Sequence, residues 1–195
     1  MKKNALRLGY FVLIALSLNS FTASDTSESF KALTDKSDVV WIARKVGGEH
    51  TGTVDLKSGS FEVKDELITS GTFIMDMTTI EMTDTESKKL HNHLRSKDFF
   101  HVDVYKESKL VITGSKMVEG KLMVTGNLTI RDITNPISFE AVNIGKTENF
   151  RIYSSTISVD RTKFGIVYRS SAVGDTFIKD FFDIKVKITG EKQVN

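Results

Sequence analysis

Apolar side chains recur at every second position through most of this chain, and that period limits the folds open to it. Val54–Leu56, Phe61–Val63 and Phe73–Met75–Met77 each place apolar residues at i and i+2. So do Leu122–Val124–Gly126–Leu128–Ile130, Ile137–Phe139–Ala141, Ile157–Val159 and Ile184–Val186–Ile188. A helix cannot gather such a set on one face, whereas a strand with one side to a core and one to water does. Turn-forming groups punctuate the pattern at Lys57-Ser58-Gly59, Glu119-Gly120, Thr134-Asn135-Pro136 and Val173-Gly174-Asp175. About ten strands are predicted. A single helix is predicted over residues 84–96, where Thr83 and Glu86 have capping-box spacing and Leu90 and Leu94 share a face. In 195 residues this points to an all-β antiparallel barrel or sandwich. The alternation does not choose between those two.

The N-terminus follows a different rule. Lys2, Lys3 and Arg7 precede an apolar run from Leu8 to Leu18, followed by small polar residues to Ser24. That layout is expected for a secretory signal peptide over residues 1–24, too short to span a bilayer. Its removal would take three of the 27 Lys and Arg and none of the 25 Asp and Glu, turning a formal +2 into −1. A nearly neutral mature chain has no basic field for a phosphate backbone, so no nucleic-acid partner is expected. No membrane span is expected after signal cleavage either. Residues 25–37 read as a polar leader, with Phe30 and Leu33 as its large apolar side chains. The chain has no cysteine, which excludes disulfides, thiolate metal sites and a lipoprotein anchor.

Reactive groups do not assemble into a motif. Gly52 to Ser58 loosely imitates a phosphate-binding loop, but Leu56 stands where a glycine must free backbone N–H groups. His91 and His93, two apart on a helix, point about 200° away from each other and do not make a metal face. The four histidines therefore give no metal site, and the reading implies no cofactor. No pair of acids stands out for glycosidase-type chemistry, and no catalytic residue is assigned.

Apolar material remains. Thirteen phenylalanines against one tryptophan and four tyrosines supply inner faces with little polar function. A barrel of about eight strands either fills with side chains or holds one small ligand. Gly126, in mid-strand on the inner face, marks a bulge or a close approach.

Five segments in order resemble the YceI-like family, secreted bacterial proteins with a lipocalin-like barrel that bind polyisoprenoids or related amphiphiles. They are His50-Thr51-Gly52-Thr53 after a strand with Trp41, and Gly71-Thr72-Phe73-Ile74-Met75-Asp76-Met77 with Thr78-Thr79-Ile80. Leu90 to Phe100 is similar to the family's H-L-x-S-x-D-F-F signature. Gly126-Asn127-Leu128-Thr129-Ile130 with Thr134-Asn135-Pro136-Ile137, and Asp160-Arg161-Thr162-Lys163-Phe164-Gly165, complete the set. The likeness runs from about Asp38 to Ile188, within one barrel domain over residues 38–195. Lys106 and Asp132 stand where the family usually has proline and glycine, both in connecting segments.

The resemblance implies a lipocalin-like antiparallel barrel with an elongated apolar interior. Its inward set would be Phe61, Phe73, Met75, Val124, Leu128, Phe139, Ile157 and Val159, with His50 and Arg161 as candidates beside a ligand head. Phe99 and Phe100 would dock the helix on the barrel end. The expected function is non-catalytic binding of an isoprenoid or similar apolar ligand, as a periplasmic or secreted carrier or sink. A small-molecule enzyme using the barrel interior and a stress-associated interaction protein are the alternatives. A homodimer stays open.

Overall fold

In the computed structural model, residues 27–170 and 177–194 are described. The expected signal peptide and the Val173-Gly174-Asp175 turn lie outside them. The strands are β1 (Glu28–Ala32), β2 (Asp38–Lys45), β3 (Gly48–Lys64), β4 (Leu67–Met82), β5 (Glu107–Val118), β6 (Lys121–Ile130), β7 (Ile133–Lys146), β8 (Phe150–Asp160) and β9 (Ile178–Lys192). One helix, α1 (Lys88–Arg95), stands between β4 and β5. Every pairing is antiparallel, and β3 meets both β2 and β4, so the sheet closes on itself. Of the two architectures the alternation allowed, the chain adopts the barrel.

Closure uses eight lanes, because β1 and β2 share one. Along β3, β2 pairs with residues 48–53 and β1 with residues 60–63; along β9, β2 pairs with 178–187 and β1 with 190–192. A short 3-10 turn at Thr34–Lys36 separates them. The polar leader expected over residues 25–37 is therefore corrected: its residues 28–32 are a barrel strand. Phe30 is fully buried and stacks on Phe61 with ring centroids 5.2 Å apart. Burying such a ring contributes roughly 1.5–3 kcal/mol, which with the small buried Ala32 docks a strand whose other three residues are polar.

Two expected turns lie inside strands. Lys57-Ser58-Gly59 continues through β3, where register shifts against β4 bend a strand of 17 residues around the barrel. Thr134-Asn135-Pro136 belongs to β7, with Pro136 opposite Asn127. The turn is instead Arg131-Asp132, with φ of 54° and 58°. Two left-handed residues make the hairpin turn whose twist matches the strands, and aspartate tolerates that conformation. Pro136 is tolerated because the β7–β8 ladder runs only from Ala141/Ser155 to Lys146/Arg151, leaving that stretch of β7 paired on one side. The bulge suspected at Gly126 lies across the ladder, between Ile112 and Gly114 of β5. Gly126 itself serves close approach, since a Cβ there would stand 2.6 Å from the Val111 carbonyl oxygen.

The helix is shorter than 84–96. Ser87, not Thr83, is the N-cap, its hydroxyl accepting from the Leu90 N–H at 3.4 Å. The Thr83 N–H instead donates to the Thr51 carbonyl, carrying the β3–β4 ladder past Met82.

The barrel end away from α1 is closed by charge laid over aromatic rings. Arg151, 4% exposed, lies over the Phe30 ring and donates to Glu28 and to the Thr147 and Phe150 carbonyls. Lys192 donates to the other Glu28 oxygen. The Lys192 hydrogen bond holds the Glu28 carboxyl below its ordinary value of 4.5; burial opposes this and the Arg151 charge assists. A depressed carboxyl stabilises the fold above its unfolded pKa, and that contribution disappears as pH falls through the folded value. Acidification below about pH 4.5 is thus expected to loosen β1 first, read as faster amide exchange at Phe30 and Lys31 in wild type than in Glu28→Gln relative to neutral pH. Equal acid sensitivity in both proteins would count against it.

Candidate ligand-binding site

Alternation aims the interior. On β6, Leu122, Val124, Gly126, Leu128 and Ile130 are all buried. On β8 the buried set is Arg151, Tyr153, Ser155, Ile157 and Val159. Between the walls lie two apolar cavities. The one nearer α1 measures about 90 Å³ and is bounded by Trp41, Val54, Met77, Ile80, Phe100 and Leu128, among others. The one nearer the closed end measures about 70 Å³, beside Phe61, Ile68, Phe73, Phe139 and Tyr153. Met75, Leu110, Ile157 and Val186 line both and form a neck between them. An apolar cavity of about 150 Å³ stays dry and takes a benzene ring. These smaller, serial voids suit a slender chain, and the flexible thioether of Met75 gives the neck room to adjust.

Above them, under α1, a mouth of about 500 Å³ opens. Trp41 lines both the upper cavity and this mouth. Gly52 makes room for its ring, because a Cβ at that position would sit 2.4 Å from Trp41 Cζ2. The resemblance of this segment to a phosphate loop is thereby replaced by a packing role. The Trp41 Nε1 and the Tyr153 hydroxyl are both buried without a hydrogen-bond partner. Burial also raises the Tyr153 pKa, so the phenol stays protonated.

The sequence-derived residues divide into three groups. Phe61, Phe73, Met75, Leu128, Phe139 and Ile157 line one or both cavities. Val124 and Val159, 0% and 2% exposed, are packed in the core and border neither. The two polar candidates lie outside those two cavities, Arg161 beside a further void of about 40 Å³ that it shares with Trp41, Phe99, Phe100 and Phe182. His50 lines the mouth. Lys45 donates to its Nε2 at 3.0 Å, since an ammonium only donates, so Nδ1 carries the proton given to Asp84 at 2.8 Å. Burial pushes the Asp84 carboxyl up, but hydrogen bonds from His50 and the Thr51 amide outweigh it and leave the group below its ordinary value.

Arg161 is 4% exposed, and all five of its N–H donors are engaged. Nε donates to the Lys179 carbonyl, Nη1 to Ile166 and Tyr168, and Nη2 to Ile178 and the Asp180 carboxylate. None remains for a ligand head, which corrects the sequence-based assignment. Its work is to tie the segment after Phe164 to the start of β9.

Phe100 borders the upper cavity and Phe99 the mouth, both packed against the core. His93 meets Phe99 and Tyr168 edge-on, at 5.0 and 4.6 Å between centroids. Among the described residues no three His, Asp or Glu side chains converge on a point that could hold a metal ion. No described helix is long and apolar enough to cross a membrane.

Sequence reasoning missed Trp41, Ile80, Leu110 and Phe182 as lining residues, and placed Val54, Met77, Ile130, Ile137, Ile184 and Val186 in the alternating sets without assigning them to a site. For those six the signal was the same alternation. Leu110-Val111-Ile112 is continuously apolar and hides its period.

A family profile described as the YceI-like domain matches residues 30–190. A UPF0312 protein of Vibrio campbellii is 30% identical over 151 residues, 74% of this chain and 76% of its own. Protein YceI of Escherichia coli is 29% identical over 90 residues, 46% of each chain. Among solved structures, a polyisoprenoid binding domain from Saccharophagus degradans superposes with a TM-score of 0.62 at 9% identity, covering 84% of this chain and 98% of that one. BcnA of Burkholderia cenocepacia gives 0.58 at 16% identity, covering 81% and 98%. The structures speak for the fold, and the profile, spanning β1 to β9, for the lineage: this chain belongs to the YceI-like family.

Proposed function

We propose that the barrel holds the chain of an isoprenoid or similar amphiphilic lipid, with its polar end in the mouth, as a non-catalytic carrier or sink. The observation that carries this reading is the apolar interior running from Trp41 through the Met75–Ile157 neck to Tyr153. The unpartnered Trp41 Nε1, where cavity meets mouth, suits an oxygen at the start of the ligand. The Saccharophagus neighbour, described as polyisoprenoid binding, supports the same ligand class. Each buried methylene contributes roughly 0.8 kcal/mol, so about ten carbons supply about 8 kcal/mol before ordering costs. The composition of residues 1–24 supports export, and with it a carrier that works in the periplasm or outside the cell.

The test is native mass spectrometry of protein purified from the cell envelope, followed by lipid extraction and by titration of delipidated protein with farnesol and solanesol. A retained lipid or saturable uptake of either alcohol is expected, on a chain that starts near residue 25. Empty protein that takes up neither alcohol would overturn the reading.

A further inference from the structure

We propose that the mouth end of the barrel is a docking face for an anionic lipid bilayer, seating the opening on the membrane surface. The proposal takes its purpose from the lipid-carrying reading and its evidence from a separate set of residues.

The topology gathers exposed apolar side chains at this end. Val46 adjoins the β2–β3 turn, Leu90 stands on α1, and Val104 lies between α1 and β5. Ile133 follows the β6–β7 turn, Val167 follows Phe164, and Phe181 pairs with Asp160 at the end of β8. Val104, Val167 and Phe181 are 58%, 60% and 56% exposed. Leu90 and Val104 share the β4–β5 connection, the others stand on separate elements, and all lie at the barrel end that α1 overhangs, where Val46 and Leu90 line the opening itself. Single exposed apolar residues need no explanation, but a group of them at the end where an apolar cavity opens is what an interfacial protein presents to lipid.

Charge makes the partner specific. Among the described residues no carboxylate lines the mouth itself; Asp84 and Asp98 stand behind it, bonded to His50 and His93. Arg44 is held by Asp183 and Glu49, but Lys45, Lys89 and Arg169 make no ion pair among the described residues. An apolar rim alone would suit many partners. Joined to three cations without a carboxylate partner among the described residues, Lys45 bonded to the His50 ring and Arg169 lying over Tyr168, it fits a surface that is apolar beneath and anionic above. The opposite end also exposes apolar residues, Met117, Val118, Val142 and Ile144, but its Lys121 and Lys146 are paired with Glu140 and Glu66. That end supplies the internal control.

The experiment is vesicle flotation with the chain beginning at Asp25, which carries every strand of the barrel. Vesicles of phosphatidylglycerol with phosphatidylethanolamine are compared with phosphatidylcholine alone, and bound lipid is extracted from each protein in parallel. Binding to the anionic vesicles and much weaker binding to the zwitterionic ones is expected. A cation near an anionic surface is worth roughly fivefold in affinity, so Lys45→Gln/Lys89→Gln/Arg169→Gln should weaken binding about a hundredfold. Val167→Ser/Phe181→Ser should weaken it several-fold with extracted lipid unchanged, since neither residue lines a cavity. Met117→Ser/Ile144→Ser should bind as wild type. Absence of vesicle binding, equal binding to both compositions, or loss only in the opposite-end variant would overturn the proposal. Lipid still extracted from a protein that ignores vesicles would leave the carrier reading standing. Vesicle binding by a protein that never holds lipid would leave the docking face standing alone.

Discussion

Arg161→Met is expected to destabilise the barrel by roughly 3–5 kcal/mol, the largest effect of any single substitution considered, measured as a loss in urea unfolding free energy. Four carbonyl oxygens and the Asp180 carboxylate share the guanidinium, and the carbonyls lie on two segments that are otherwise joined by the Ile178 N–H donating to the Arg169 carbonyl. Methionine fills the volume but leaves those acceptors without donors. Burial draws the Arg161 pKa downward, while Asp180 and Asp160 act against it. Arg161→Lys should recover only a small part of the loss. A lysine carries three donors at one point and cannot span the positions that a planar fork reaches. Full recovery by lysine would mean that charge, rather than the fork of hydrogen bonds, holds the segment.

A second large effect separates the cavity from the packed wall. Ile157 lines both cavities at their neck, so Ile157→Phe should place a ring where the ligand chain would pass. Extractable lipid should fall at least about tenfold, while delipidated protein stays within about 1 kcal/mol of wild type, because the added atoms enter existing space. Val124→Phe should behave oppositely. Val124 is fully buried and borders neither cavity, so the same ring overpacks the core at a cost of roughly 1–3 kcal/mol, with lipid retained. Lipid loss in Val124→Phe with stability unchanged, or instability in Ile157→Phe with lipid retained, would invert this assignment of cavity and core.

The contrast between these two residues shows how far the alternation reaches. Both occupy inward positions on strands with unbroken period two, and nothing local distinguishes them. Which inward residue packs and which lines a void depends on what faces it from other strands, and a single-strand pattern does not contain that. Phe30 was hidden for another reason: it is the one large apolar side chain of β1, and its place is set by Phe61 and Arg151, far along the chain. Pro136 misled because proline usually ends a strand, whereas here β7 is paired on one side at that point. Arg161 was legible as a position and not as a role. Its neighbours in sequence gave no hint that five acceptors, drawn from two segments, would converge on it.

The lane shared by β1 and β2 has a kinetic consequence. Those strands begin the described chain, and both pair with β9, which ends it. The ring therefore has no closed sub-assembly: β3 to β8 form an open sheet with two raw edges until the last strand arrives. Joining ends separated by nearly the whole chain incurs the largest loop entropy the sequence allows, which places the expected refolding time in milliseconds to seconds. A polypeptide still being synthesised cannot complete this barrel until β9 has been made, so closure waits on the last strand however early the hairpins between β3 and β8 form.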